Sequence, residues 1–145
     1  MAIDLKAIAS ISGYGGLFSV VRSTRNGMIV ESIDERKHRS FKSTYSKQVS
    51  MLDNIGIYTT GEEVTIPLSK LFEKLYRSYP DALDVTAYDS PEKLHTFIQH
   101  TVPNYDKERV YPSNIKKLIN WYQLLLKYKP ELFKTEEQEV VEVVD

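Results

Sequence analysis

The stretch 114–128, NIKKLINWYQLLLKY, limits the possible folds more than any other part of the chain. Ile115, Leu118, Ile119, Tyr122, Leu125 and Leu126 recur at helical spacing, and Trp121, Leu124 and Tyr128 widen the stripe. At 3.6 residues per turn the apolar arc covers about 220°, roughly twice what a single contact face needs. One neighbour cannot satisfy such a helix, so the rest of the chain must surround it on two sides, or a second subunit must cover part of it. Pro112 and Ser113 mark its start, with Ser113 read as the N-cap.

Two further helices precede it. Pro67 suits a first helical turn, and Leu68, Leu71, Phe72, Leu75, Tyr76 and Tyr79 then form one stripe that Pro80 ends, with Lys70, Glu73, Lys74 and Arg77 on the polar side. Ser90-Pro91-Glu92 supplies an N-cap, a first-turn proline and an acid at the positive end of the dipole. The helix it opens runs to Val102 and buries Leu94, Phe97 and Ile98. His95 and His100 on this helix are five residues apart, about 140° around the axis, and neither HExxH nor HxxxH occurs, so both read as rim residues and not as metal ligands.

The N-terminal half reads as short strands. Runs 17–22 and 28–33 flank Asn26-Gly27, a strong hairpin signal. A two-residue Asn26-Gly27 loop sets Arg22 opposite Glu31; a three-residue loop with a bulge sets Arg22 opposite Val30. Further strands follow Ser40, at 49–52, 55–59 and 64–66, with a turn at 60–63. The expectation is an α+β protein: a small SH3-like β-barrel in domain 1–66, a three-helix domain 67–133 packed on it, and an acidic tail 134–145. In 11–17, ISGYGGL, three glycines fall within four residues, but neither GxGxxG nor a Walker Lys-Ser/Thr is present. A tight turn after a short apolar stretch at 3–8 is the reading.

Charge is segregated. Net charge is −1, yet residues 1–50 and 101–133 are basic while 51–100 and 134–145 are acidic. The sequence pI of about 6.3 is well below the value typical of a dedicated nucleic-acid domain. With no cysteine there is no disulfide, thiolate nucleophile or cysteine-bound zinc, which points to a reducing, cytoplasmic setting. No apolar run reaches membrane-spanning length, so no membrane partner is expected.

Ile11-Ser12-Gly13, Gly16-Leu17, the run 26–32 (NGMIVES), Ile57-Tyr58-Thr59, Pro103-Asn104-Tyr105-Asp106, Arg109-Val110-Tyr111, Ile115-Lys116-Lys117 and Trp121-Tyr122 together resemble a family of small uncharacterised bacterial cytosolic proteins. Its members carry an N-terminal domain of unknown function followed by a helical one. The likeness spans about 3–128. It implies the two-part organisation and brings no activity, cofactor or site residue.

No nucleophile and base occur at a productive spacing, so no catalytic residue, metal or cofactor is expected. The leading functional expectation is a non-catalytic binding or adaptor protein for RNA or for a protein partner. Candidate nucleic-acid contacts are Arg25, Arg36, Lys37, Arg39, Phe41 and Lys42, with Tyr45 nearby, and a second patch at Lys107, Lys116 and Lys117, with Lys127 further along the same helix. The alternative is a homo-oligomer that uses the surplus arc of the last helix as its interface.

Overall fold

The computed structural model describes residues 3–43, 49–62 and 64–133. Tyr45, Glu63 and the acidic segment 134–145 lie outside the described residues. The fold is α+β. Strands β1 (Ile8–Ile11), β2 (Phe18–Thr24), β3 (Gly27–Ser32), β4 (Arg39–Ser43) and β5 (Val49–Met51) form an antiparallel sheet in the order β4-β3-β2-β1-β5. Among the described residues β6 (Gly56–Tyr58) and β7 (Thr65–Pro67) pair with each other in a separate two-stranded sheet, and α1 (Leu68–Ser78), α2 (Pro91–Thr101) and α3 (Pro112–Tyr128) follow.

The expected SH3-like barrel is therefore corrected to an open sheet. The reason lies at 8–11, where Ile-Ala-Ser-Ile, part of a stretch read as a turn, is a strand that sits between β2 and β5. With that central place filled, β6 and β7 are not drawn into the sheet. Among the described residues the edge strands β4 and β5 do not pair. Strand alternation gives the sheet two different faces. Ile11, Phe18 and Val30 form a small cluster on one face, while Ile8 on the other joins the main core with Leu5, Leu17, Ile33 and the helices.

The β2–β3 hairpin adopts neither expected register. Thr24 pairs with Gly27, so Arg25 and Asn26 are the two loop residues, and an irregularity between Val20 and Arg22 places Arg22 opposite Ile29. Glu31 instead faces Arg39 across β3–β4 and binds it at 3.3 Å. Gly27 is set by crowding, since a Cβ there would lie 2.2 Å from the Lys42 carbonyl oxygen. The glycine lets β4 approach.

The helices match the sequence closely. Ser90 Oγ accepts from Lys93 N–H at the start of α2. α3 begins two residues earlier than expected: Tyr111 is the N-cap, Pro112 the first helical residue, and Asn114 Oδ1 accepts the Tyr111 N–H at 3.0 Å. Glu73, assigned to the polar side of α1, is buried at 8% exposure. Ile115, Leu118, Ile119, Tyr122 and Leu125 of α3 are buried, and Trp121, Leu124, Leu126 and Tyr128 are half-buried on its flanks.

Tyr122 ties three elements together. Its ring meets Phe72 of α1 at 5.9 Å and Phe133 at 5.5 Å, and its hydroxyl donates to the Tyr79 carbonyl at 2.6 Å. Burial, with Tyr76 second, pushes the phenol far above the usual tyrosine range, so it remains a donor.

Two outcomes follow from this packing. Tyr122→Phe strands the Tyr79 carbonyl, and urea unfolding should show a loss of about 1–2 kcal/mol. Gly27→Ala forces β4 away from β3 and should destabilise by about 1–3 kcal/mol. Amide exchange in that variant should rise first in β3 and β4 while α3 stays protected; uniform change, or none, contradicts the crowding argument.

Candidate functional site

A long groove runs between the sheet and α3. One part, about 1010 Å³, lies between the glycine-rich turn and the exposed side of α3, lined by Gly13, Tyr14, Gly16, Lys117, Trp121 and Lys127 among others. A second part, about 300 Å³, continues past Ser10, Lys117 and Trp121 to Tyr58, Arg109 and Asn114. Ser10, Lys117 and Trp121 line both parts.

The sequence builds each wall locally. Gly13 and Gly16 have φ of +87° and +80°, which glycine adopts without strain, so the chain reverses between β1 and β2 in a flat turn that faces α3. A Cβ on Gly16 would be 3.8 Å from Leu124, ordinary contact, so at that position the turn's need is conformational. On α3, Lys117, Trp121 and Leu124 fall at i, i+4 and i+7, one face of the helix. The surplus of the 220° arc is thus the groove wall. Lys117 and Lys127 are separated by ten residues, about 15 Å along the axis.

The lining is cationic and aromatic. Lys117, Lys127 and Arg109 supply positive charge, and among the described residues Asp81 is the one carboxylate lining either part. Trp121 is half-buried, and its indole N–H has no hydrogen-bond partner among the described residues. Lys117 is likewise without an ion pair among them. Gln123 is engaged, accepting the Leu83 N–H at 3.1 Å.

Arg109 is held in place from two sides. Its Nε binds Asp106 Oδ2 at 2.8 Å, and its guanidinium lies 4.5 Å from the Tyr58 ring centroid. Asp106 also accepts the Glu108 N–H, while its own N–H donates to the Tyr58 carbonyl. The Arg109 hydrogen bond leads the causes that hold the Asp106 carboxyl below its ordinary 3.8. Asp106 thus caps a turn and Arg109 pairs with it. His95 is not simply a rim residue: its Nδ1 is 2.9 Å from the Tyr105 hydroxyl, with the two rings stacked.

The basic candidates read from the N-terminal half do not gather on one surface. Arg25 is at the hairpin tip; Arg36 and Lys37 are in the β3–β4 loop, at the opposite end of β3, where Asp34 accepts both their N–H groups. Arg39 and Phe41 share one face of β4, and Lys42 lies on the other, 4.0 Å from the Tyr14 ring centroid. Lys107 is exposed in the 103–111 loop, Lys116 is exposed on α3, and Lys117 alone of the nine enters the groove. Tyr14, Tyr58, Arg109 and Trp121 also line the groove and are not among the nine. Trp121 had been read as core, and the glycine cluster facing it was the available signal. Among the described residues no group of His, Cys, Asp and Glu could hold a metal ion, and no helix is long and apolar enough to cross a membrane.

Residues 5–52 match a domain of unknown function, DUF5606, and residues 55–125 match a second, DUF6852. A solution NMR structure of a structural-genomics target from Bacteroides vulgatus is 32% identical, with a TM-score of 0.69, and the match covers 88% of this chain and 89% of that one. The chain belongs to this uncharacterised family. No curated protein matches it. The family's two matched segments meet at the 3-10 turn Leu52–Asn54, so β6 and β7 fall within the C-terminal match. The hydrogen bonding agrees: Leu68 N–H at the start of α1 donates to Ile55, and Thr59 bridges to Tyr105.

The Asp106 shift has a pH consequence. A carboxylate whose folded pKa is depressed contributes stability that is present above its unfolded value and lost as pH falls through the folded one. Lowering the pH through and below 3.8 should release Arg109 from Asp106. The Tyr58 ring resonances should then move together with those of Arg109; in Asp106→Asn this step should be absent.

Proposed function

We propose that the protein is a non-catalytic binding module that holds single-stranded RNA along the α3 groove. The observation that carries this reading is Trp121: a half-buried ring, its N–H unpartnered among the described residues, where the two parts of the groove join beside Lys117. Single-stranded nucleic acid is held by stacking platforms set between cations along a channel, without base-specific hydrogen bonding. Tyr14, Trp121 and Tyr58 offer rings, and Lys127, Lys117 and Arg109 offer charges, along one track. A span of about 15 Å suits four to five stacked nucleotides at about 3.4 Å each. The absence of cysteine supports a cytoplasmic location.

Fluorescence anisotropy with a labelled single-stranded RNA tests the reading. With three phosphate contacts, the logarithm of affinity should fall with the logarithm of salt at a slope of about −2. Trp121→Ala should weaken binding by about 1–3 kcal/mol and Trp121→Phe by less. Lys117→Ala should flatten the salt slope by about 0.7, while Arg36→Ala with Lys37→Ala should leave it unchanged. Absent binding, or binding indifferent to Lys117 and Trp121, overturns the proposal.

A further inference from the structure

A carboxylate repels a phosphate backbone, yet the groove holds one in place. The segment after α1 is fastened to α3 at both ends by consecutive helix residues. The Tyr79 carbonyl accepts from the Tyr122 hydroxyl at 2.6 Å, and the Leu83 N–H donates to Gln123 Oε1 at 3.1 Å. Asp81 sits midway between these ties, beside Pro80, whose fixed φ stiffens the bend. It is exposed, lines the larger part of the groove, and has no ion pair or hydrogen bond among the described residues. Asn120, Gln123 and Lys127 line the same part from α3, all within about 60° of the helix circumference, and Trp121 lies about 100° beyond the nearest of them. Gln123 spends its carbonyl on Leu83, so its amide N–H groups, like those of Asn120, have no partner among the described residues.

This corner therefore sets one strong acceptor beside several donors. A carboxylate only accepts, through two oxygens side by side. Among the four bases only guanine places two donors next to each other on its Watson–Crick edge, N1–H and the 2-amino group, with the O6 acceptor alongside. Adenine and cytosine turn a ring-nitrogen acceptor to such a carboxylate, and uracil holds its single N–H between two carbonyls. Bases of single-stranded RNA are free to present this edge. We propose that the Asp81 corner is a guanine subsite at one end of the groove: Asp81 accepts N1–H and a 2-amino N–H, and Lys127 donates to O6, with Leu124 beneath the ring. The inference rests on the RNA reading of the groove, and it adds selectivity at one position to a track whose stacking is otherwise indifferent to base. A metal cation is a poorer occupant, because this part of the groove carries Lys117 and Lys127 and, among the described residues, no second carboxylate.

Fluorescence anisotropy on the full chain, with a short labelled oligouridine and the same oligomer carrying one guanosine at either end, tests the assignment. Guanosine at one end should raise affinity about tenfold over adenosine, cytidine or uridine there, and guanosine at the other end should not. Inosine, which keeps N1–H and lacks the 2-amino group, should fall between guanosine and adenosine at that end. 7-Deazaguanosine, whose Watson–Crick edge is intact, should match guanosine. These ligand changes read the subsite without altering the protein. Asp81→Asn should remove most of the preference for guanosine while affinity for plain oligouridine rises, because the groove loses a negative charge. Oligouridine that binds through Trp121 with no gain from guanosine at either end overturns this inference and leaves the RNA reading standing, as does a gain that inosine reproduces in full or that survives Asp81→Asn. Failure of every oligomer to bind overturns both.

Discussion

The arrangement depends on how α3 is buried. Tyr122, Ile115, Ile119 and Leu125 face the other helices and the Pro130–Phe133 turn, and no polar atom of that face is left unsatisfied, because the Tyr122 hydroxyl is spent on the Tyr79 carbonyl. The turn of Gly13 and Gly16 and the strand β1 lie along a different flank. Two separately built halves of the chain thus meet across one helix. Where they meet closely there is core; where the glycine-rich turn stands off from Trp121 and Leu124 there is a groove. The groove is the consequence of an apolar arc wider than its closest neighbours cover.

That geometry explains why charge is distributed as it is. Lys117 sits within the outer flank of the arc and Lys127 just beyond its edge, and Arg109 is brought to the far end of the groove by a loop tied to Tyr58 and capped by Asp106. On the sheet, by contrast, the basic residues are dispersed by strand alternation and by the length of β3. Similar composition therefore gives a continuous track on α3 and a divided edge on β4. Strand pairing, and not the number of lysines, decides which of the two is continuous.

The helical half was legible because its signals are local: Ser90-Pro91 starts α2, Pro80 ends the stripe of α1, and the 3.6-residue period marks the buried face. Strand order was not, because pairing joins residues far apart in sequence. Ile8–Ile11 is short, with a small Ala9, and nothing nearby announces that it lies between β2 and β5. Gly27 was legible as a turn glycine, yet its role is to admit the Lys42 carbonyl, a contact made by another strand. Of the candidate site, Lys117 was visible in the sequence, whereas Trp121 looked like core because periodicity reports apolar width and not how closely the neighbours approach.

Trp121 is the chain's only tryptophan, so its emission reports the groove and nothing else. Titrating a single-stranded RNA into the full chain at low salt while recording that emission is the most direct test. Stacking on the indole should quench it saturably, with duplex RNA of the same sequence far less effective and added salt reversing the change. Emission unchanged by RNA that anisotropy shows to be bound would place the ligand elsewhere and contradict the groove as the binding site.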